Sequence, residues 1–241
     1  MEIKLNKIKF ICGDRHVAKH YPPVPTAKAR PDWYNKVPGF LGEPLQSPPT
    51  VKKCMPIYDH ITAGYMIYSP VEMEIKIGER PKNTDGSAVS TFHRTYPAAW
   101  TNQEPQEGHS HEQCPVKLDG QQKDYITFSV PWRIETPPGY SCLIQQPYFF
   151  FENRFTLFPG IVDTDTIDVP WVNWPGVMNG KPGDKVIIEP GAPLMQIIPF
   201  KRDEWQMEVE VDERGAERDT ALKFFLTNAY ARIFHRKKKY K

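Results

Sequence analysis

The sequence has no apolar run near the ~20 residues that a membrane-crossing helix needs, so no membrane partner is expected. It has no excess of one charge: 31 Lys and Arg against 29 Asp and Glu leave a net charge of +2. A near-neutral chain builds no broad positive field, which removes the usual global argument for nucleic acid. The first ten residues, MEIKLNKIKF, lack the apolar stretch of a signal peptide, and a protein that is not secreted is expected. Cysteine is sparse. The four, at 12, 54, 114 and 142, form no C-x-x-C pair. A chain of 241 residues buries enough surface to fold without disulfide staples, so they read as reduced thiols. Internal repeats are missing too, which excludes solenoids and propellers.

Proline is what the chain has in plenty: 25 residues, about twice the usual share of ~5%. That density forbids long helices and central strands. It is highest over 20–50, where Pro22, Pro23, Pro25, Pro31, Pro38, Pro44, Pro48 and Pro49 predict an extended arm anchored by Trp33, Tyr34, Phe40 and Leu41. Ile3, Leu5, Ile8 and Phe10 alternate with polar residues and predict an edge strand. Val71, Met73, Ile75 and Ile77 alternate with Glu72, Glu74 and Lys76, the pattern of a half-buried strand. Residues 125–134 predict a strand with a proline break, and 79–124 a loop insertion.

From 135 to 202, short apolar runs are punctuated by Pro138-Gly139, Pro159-Gly160, Asn179-Gly180, Pro182-Gly183 and Pro190-Gly191. Such spacing predicts an all-β barrel or sandwich. Helix is expected only near the end, where Leu222, Phe225, Leu226, Ala229 and Ile233 form one stripe. The expected division is an N-terminal strand and arm over 1–50, a β domain over 51–205, and a helix with a basic tail over 206–241.

Several clusters carry candidate chemistry. Asp163 and Asp165 stand in Gly160-Ile161-Val162-Asp163-Thr164-Asp165 and read either as turn residues or as ligand-binding carboxylates. His109, His111 and Cys114 lie within six residues and read as a polar loop or as weak metal ligands needing a fourth partner such as His93 or Cys142. Phe149, Phe150 and Phe151, with Trp171 and Trp174 nearby, cannot all face one core if they lie on a strand, which predicts a subunit interface. Arg232, Arg236, Lys237, Lys238, Lys239 and Lys241 form a basic tail, either solvated or in contact with DNA phosphates.

Three signals in order, Pro137-Pro138-Gly139-Tyr140, Pro159 to Asp165 and Pro190 to Ile198, resemble the dUTPase and dCTP deaminase superfamily. The resemblance implies a β-clip core and a trimer. It implies that Asp163 orients the attacking water, with Gln196 and Tyr140 beside the ligand and Mg only if a nucleotide binds. The chain departs from that pattern: Thr166 stands where a stacking tyrosine belongs, Met66 replaces the aspartate after Ala63-Gly64-Tyr65, and Gln145-Gln146-Pro147-Tyr148 stands where a phosphate-binding serine and arginine belong. A second resemblance runs from Lys53 to Trp205, with Pro31-Asp32-Trp33 upstream: Lys53-Cys54-Met55-Pro56, Gly64 to Pro70, His109 to Gln113, Thr136 to Tyr140, Pro159 to Asp165 and Gln196 to Arg202. In order, these are similar to a family of proteins from bacteria and large tailed phages, marine and cyanobacterial ones among them. That resemblance implies a phage origin, in the host cytoplasm or the virion, and implies no activity. The expected function is therefore a non-enzymatic, oligomeric phage protein that binds other phage proteins, such as a capsid, neck or tail accessory component. The alternative is a nucleotide-binding or nucleotide-hydrolysing enzyme built on Asp163 and Gln196. No cofactor is expected under the first reading.

Overall fold

The computed structural model describes residues 6–43, 46–81, 88–95, 106–110, 112–113, 125–167, 172–211 and 235–240. The chain forms two compact units: residues 1–24 with 65–201, and residues 25–64 with 202–241. Both are discontinuous in sequence, unlike the three consecutive segments expected.

The first unit is built mainly from β-sheet, as expected. Its strands in chain order are β1 (Lys9–Ile11), β2 (Val24–Pro25, at the division between units), β3 (Tyr65–Tyr68), β4 (Glu72–Pro81), β5 (Ala88–Thr95), β6 (Gln106–Glu107), β7 (Tyr125–Val130), β8 (Arg133–Glu135), β9 (Tyr140–Gln145), β10 (Phe155–Leu157), β11 (Gly160–Val162), β12 (Val172–Met178), β13 (Lys185–Ile188) and β14 (Pro193–Lys201). They pair as β1-β8, β10-β12-β7, β11-β9-β14-β3-β2 and β13-β4-β5-β6. A short helix, α1 (Arg15–His20), is capped by Asp14, whose carboxylate accepts from the His16 and Val17 amides.

One apolar core serves these sheets. Ile67, Ile75, Phe128, Ile144, Phe155 and Ile197 are all fully buried within it. The period-2 pattern read in the sequence holds in β4, where Met73, Ile75 and Ile77 are buried and Glu72 and Lys76 are exposed. Pro131 separates β7 from β8, since a proline cannot donate to the ladder. Gly139, Gly183 and Gly191 adopt φ of 82°, 94° and 85° at their Pro-Gly turns, a region open to glycine at no steric cost.

Two segments differ from expectation. Residues 79–124 are not simply a loop: β5 pairs with β4 from Glu72↔Thr95 to Pro81↔Ala88, and β6 adds to β5. The proline-rich stretch is not an extended arm either. It holds α2 (Asp32–Lys36) and leads into α3 (Met55–Thr62), with Tyr34 1% exposed. Pro31 is the residue before α2, and Pro56 lies in the first turn of α3. These are places where a missing N–H costs nothing and a fixed φ favours helix entry. The helix expected over 222–233 lies outside the described residues.

Candidate functional site

The Pro137-Pro138-Gly139-Tyr140 turn and the Asp163–Thr166 turn are brought together. β11 runs antiparallel to β9, with Val162 opposite Cys142, so the chain leaving β11 meets the chain entering β9. The Asp163 carbonyl accepts from the Thr166 and Ile167 amides, both at 3.2 Å. Thr164, 3% exposed, lies beneath: its hydroxyl is 2.7 Å from that of Thr136, and its carbonyl accepts from the Thr136 amide at 3.1 Å. Asp165 Oδ2 accepts from the Gly139 amide at 2.8 Å, and Asp163 Oδ1 accepts from the buried Ser141 hydroxyl at 2.7 Å. Asp165 thus ties its turn to the Pro137–Tyr140 turn, and Asp163 ties it to β9. Burial pushes the neighbouring Cys142 thiol up to about 11, against the lowering effect of its bond from Thr164. Cys142 is therefore a neutral thiol at physiological pH.

Of the other expected site residues, Tyr140 lies in the neighbouring turn and Gln196 lies farther along the sheet. Tyr140 begins β9, and its phenolic oxygen accepts from Asn6 Nδ2 at 2.5 Å. Gln196 sits in β14, 3% exposed, and accepts from Gln145 Nε2 at 3.2 Å. Its partner across the ladder is Gln145, whereas the serine that holds Asp163 is Ser141. Four residues separate those positions along β9, about 13 Å at the ~3.3 Å rise of a strand. Ser141 and Gln145 are four residues apart and so point to one face of β9; Asp163, beside the first, is exposed and Gln196, beside the second, is buried.

His109 Nδ1 lies 3.1 Å from Gln113 Oε1, and Nε2 lies 3.0 Å from the Thr127 hydroxyl. Both ring nitrogens are thus engaged in hydrogen bonds, the polar-loop arrangement. His111 and Cys114 lie outside the described residues. Among the described residues, no three His, Cys, Asp or Glu side chains converge as metal ligands would.

The aromatic run forms a projecting knuckle. Tyr148–Phe150 is a 3-10 turn and not a strand: Pro147 opens it and Phe151 closes it in the left-handed region at φ 52°. Tyr148 is 68% and Phe151 62% exposed. The rings of Tyr148, Phe149 and Phe151 pack edge to face at 5.3–6.5 Å between centroids. A bulky residue at positive φ is strained, so the surrounding structure must hold it. Gln146 does much of this. Its Nε2 donates to the Glu152 and Phe155 carbonyls, both at 3.2 Å, and its Oε1 accepts from the Leu157 amide at 2.8 Å. Arg154 completes the loop. Its Nε and Nη2 donate to the two Glu152 oxygens at 2.9 and 2.7 Å, and its Nη1 reaches the Ile187 carbonyl and Glu189. Burial alone would raise the Glu152 carboxyl, but the Arg154 hydrogen bonds and charge more than reverse this and hold it below the usual range. Gln146 and Arg154 escape sequence reasoning; the available signal is a polar residue on each side of an aromatic run.

Trp174, expected at an interface, is instead partly buried against the core. Its indole N–H donates to the Phe158 carbonyl. Its ring also explains Gly160: a Cβ there would lie 2.7 Å from Trp174 Cζ2. Trp171 lies outside the described residues.

In the second unit, the basic tail is partly engaged. Asp59 on α3 accepts from His235 Nε2 at 2.9 Å and from Lys238 Nζ at 2.5 Å. Burial would raise its carboxyl, but Lys238 and His235 together hold it below the usual range. Residues 202–211 carry neither helix nor strand, and all are exposed. Within them Trp205, Met207, Val209 and Val211 are 90%, 85%, 80% and 86% exposed.

No family model matches the chain. No curated protein is similar to it at a significant level. Among solved structures, it is similar to a chain titled EIAV dUTPase, native, at 11% identity and a TM-score of 0.34, over 64% of this chain and 86% of that one.

Proposed function

We propose that the chain is a non-enzymatic, self-associating binding protein whose contact surface is the Tyr148–Phe151 knuckle. One observation carries this reading: Phe151 is held at φ 52° and is 62% exposed. A residue that bears backbone strain and still faces water is retained for what it touches outside its own fold. Exposed aromatic clusters are the usual anchors of protein interfaces. The ordered motifs from Lys53 to Arg202 support a phage setting, with the β-clip fold as its framework and a virion component as the end of assembly. The test is a pair of variants. Phe151→Gly relieves the positive φ, so stability should hold or rise by ~1 kcal/mol. Self-association should weaken at least tenfold in sedimentation velocity. Unchanged association in both Phe151→Gly and Tyr148→Ser would remove the reading.

A second reading keeps nucleotide chemistry at Asp163, whose carboxylate is exposed beside the Pro137–Tyr140 turn. It requires pyrophosphate release from dUTP or dCTP with Mg, lost in Asp163→Asn. Absence of release by the parent chain removes it.

A further inference from the structure

Resting on the self-association reading above, we propose that Trp205–Val211 is a strand donated to the open edge of β1 in a second copy of this chain. The segment has the composition of a half-buried strand without the burial. Trp205, Met207, Val209 and Val211 alternate with Gln206, Glu208 and Glu210, so that in extended form one face is apolar and the other acidic. The apolar side chains are 80–90% exposed, and among the described residues no backbone hydrogen bond involves 204–211.

β1 has the complementary pattern. It pairs with β8 in a two-stranded sheet, and among the described residues its other edge meets no strand. An open edge is a template for a further strand. Around it, Ile8 and Phe10 lean on the core and stay only partly buried, while Lys7 and Lys9 point to solvent. Lys9 already meets Glu135 on β8 at 3.1 Å, so the basic face tolerates an acid on its paired side. Residues facing each other across a ladder share a face. An added strand that set Met207 and Val209 beside Ile8 and Phe10 would set Glu208 and Glu210 beside Lys7 and Lys9. Apolar cover and charge pairing are satisfied by one placement, and slipping by one residue loses both. The occupant of the β1 edge is therefore the 205–211 segment of another copy.

The test uses full-length chains and sedimentation velocity. Glu208→Lys with Glu210→Lys, and separately Lys7→Glu with Lys9→Glu, should each weaken self-association roughly tenfold, because like charges then face each other. An equimolar mixture of the two should associate like the parent, because each arm then meets an edge of opposite charge. Circular dichroism melts of each variant check that it is folded. Recovery in the mixture alone establishes exchange between copies. Recovery only when all four substitutions are in one chain means the arm packs on its own chain, which overturns the proposal. Parent-like association in every charge variant, with loss in Phe151→Gly, overturns it while leaving the self-association reading intact. A parent chain that sediments only as a monomer removes both.

Discussion

Gln146→Leu is the perturbation that isolates how the knuckle is held. The substitution keeps the size of the side chain and removes its amide. Three hydrogen bonds go with it: to the Glu152 carbonyl, to the Phe155 carbonyl and from the Leu157 amide. Each is worth ~1 kcal/mol net, giving about 3 kcal/mol; because the side chain is only half-buried, water can replace part of this, and about 1.5 kcal/mol is the lower bound. In urea the midpoint should fall by about 1 M with an unchanged slope, since the same surface is exposed on unfolding. Below the midpoint, Phe151 loses the frame that keeps it at positive φ, so self-association should weaken in the folded variant as well. A midpoint within ~0.2 M of the parent, which is under 0.5 kcal/mol at ordinary slopes, would refute the idea that Gln146 staples this loop.

Arg154→Leu should cost about 1.5–3 kcal/mol at pH 7, by leaving Glu152, 11% exposed, without its bidentate partner. Because the Glu152 carboxyl is held below its unfolded value, this contribution is complete above the free carboxyl's ~4.3. It is lost as pH falls through the depressed folded value, so the gap between parent and variant in urea melts should narrow below about pH 4; a gap that widens there reverses the sign. Gly160→Ala should destabilise by about 1–3 kcal/mol in the same assay, because its Cβ meets a Trp174 ring fixed by the Phe158 carbonyl. Asp165→Ala should cost about 1–2 kcal/mol by stranding the Gly139 amide, whereas Asp163→Asn keeps an acceptor for Ser141 and should stay within ~0.5 kcal/mol; the opposite order would count against two structural turn aspartates.

The parts of the fold legible in the sequence are those set by local rules. The alternation through Met73, Ile75 and Ile77 fixes which face of β4 is buried, whatever it packs against. Pro-Gly pairs mark turns at Gly139, Gly183 and Gly191 because positive φ is a property of the residue. Pro159-Gly160 obeys a different rule: Gly160 starts β11, and its small size is set by Trp174, which is fourteen residues away and invisible to a local pattern. The proline-rich segment defeats a local reading because proline favours both extended chain and the first turn of a helix; the residues after Pro31 and Pro56 decide between them. Within the phenylalanine run Phe151 is exposed and Phe149 and Phe150 are half-buried, for a reason other than strand alternation. Pro147 and the left-handed Phe151 make it a turn, and only the three-dimensional frame of Gln146 and Arg154 makes that turn stable. Asp163 and Tyr140 do belong to neighbouring turns, whereas motif order alone groups Gln196 with them. The strand register separates it by four ladder positions.

The measurement closest to the centre of this account is sedimentation equilibrium of the full-length parent across a concentration series. The predicted result is a mass that rises with concentration to a fixed multiple of 27.9 kDa, and that falls back when Phe151 is replaced by glycine. A single species of 27.9 kDa at every concentration would contradict it, and the exposed knuckle would then need a partner other than this chain.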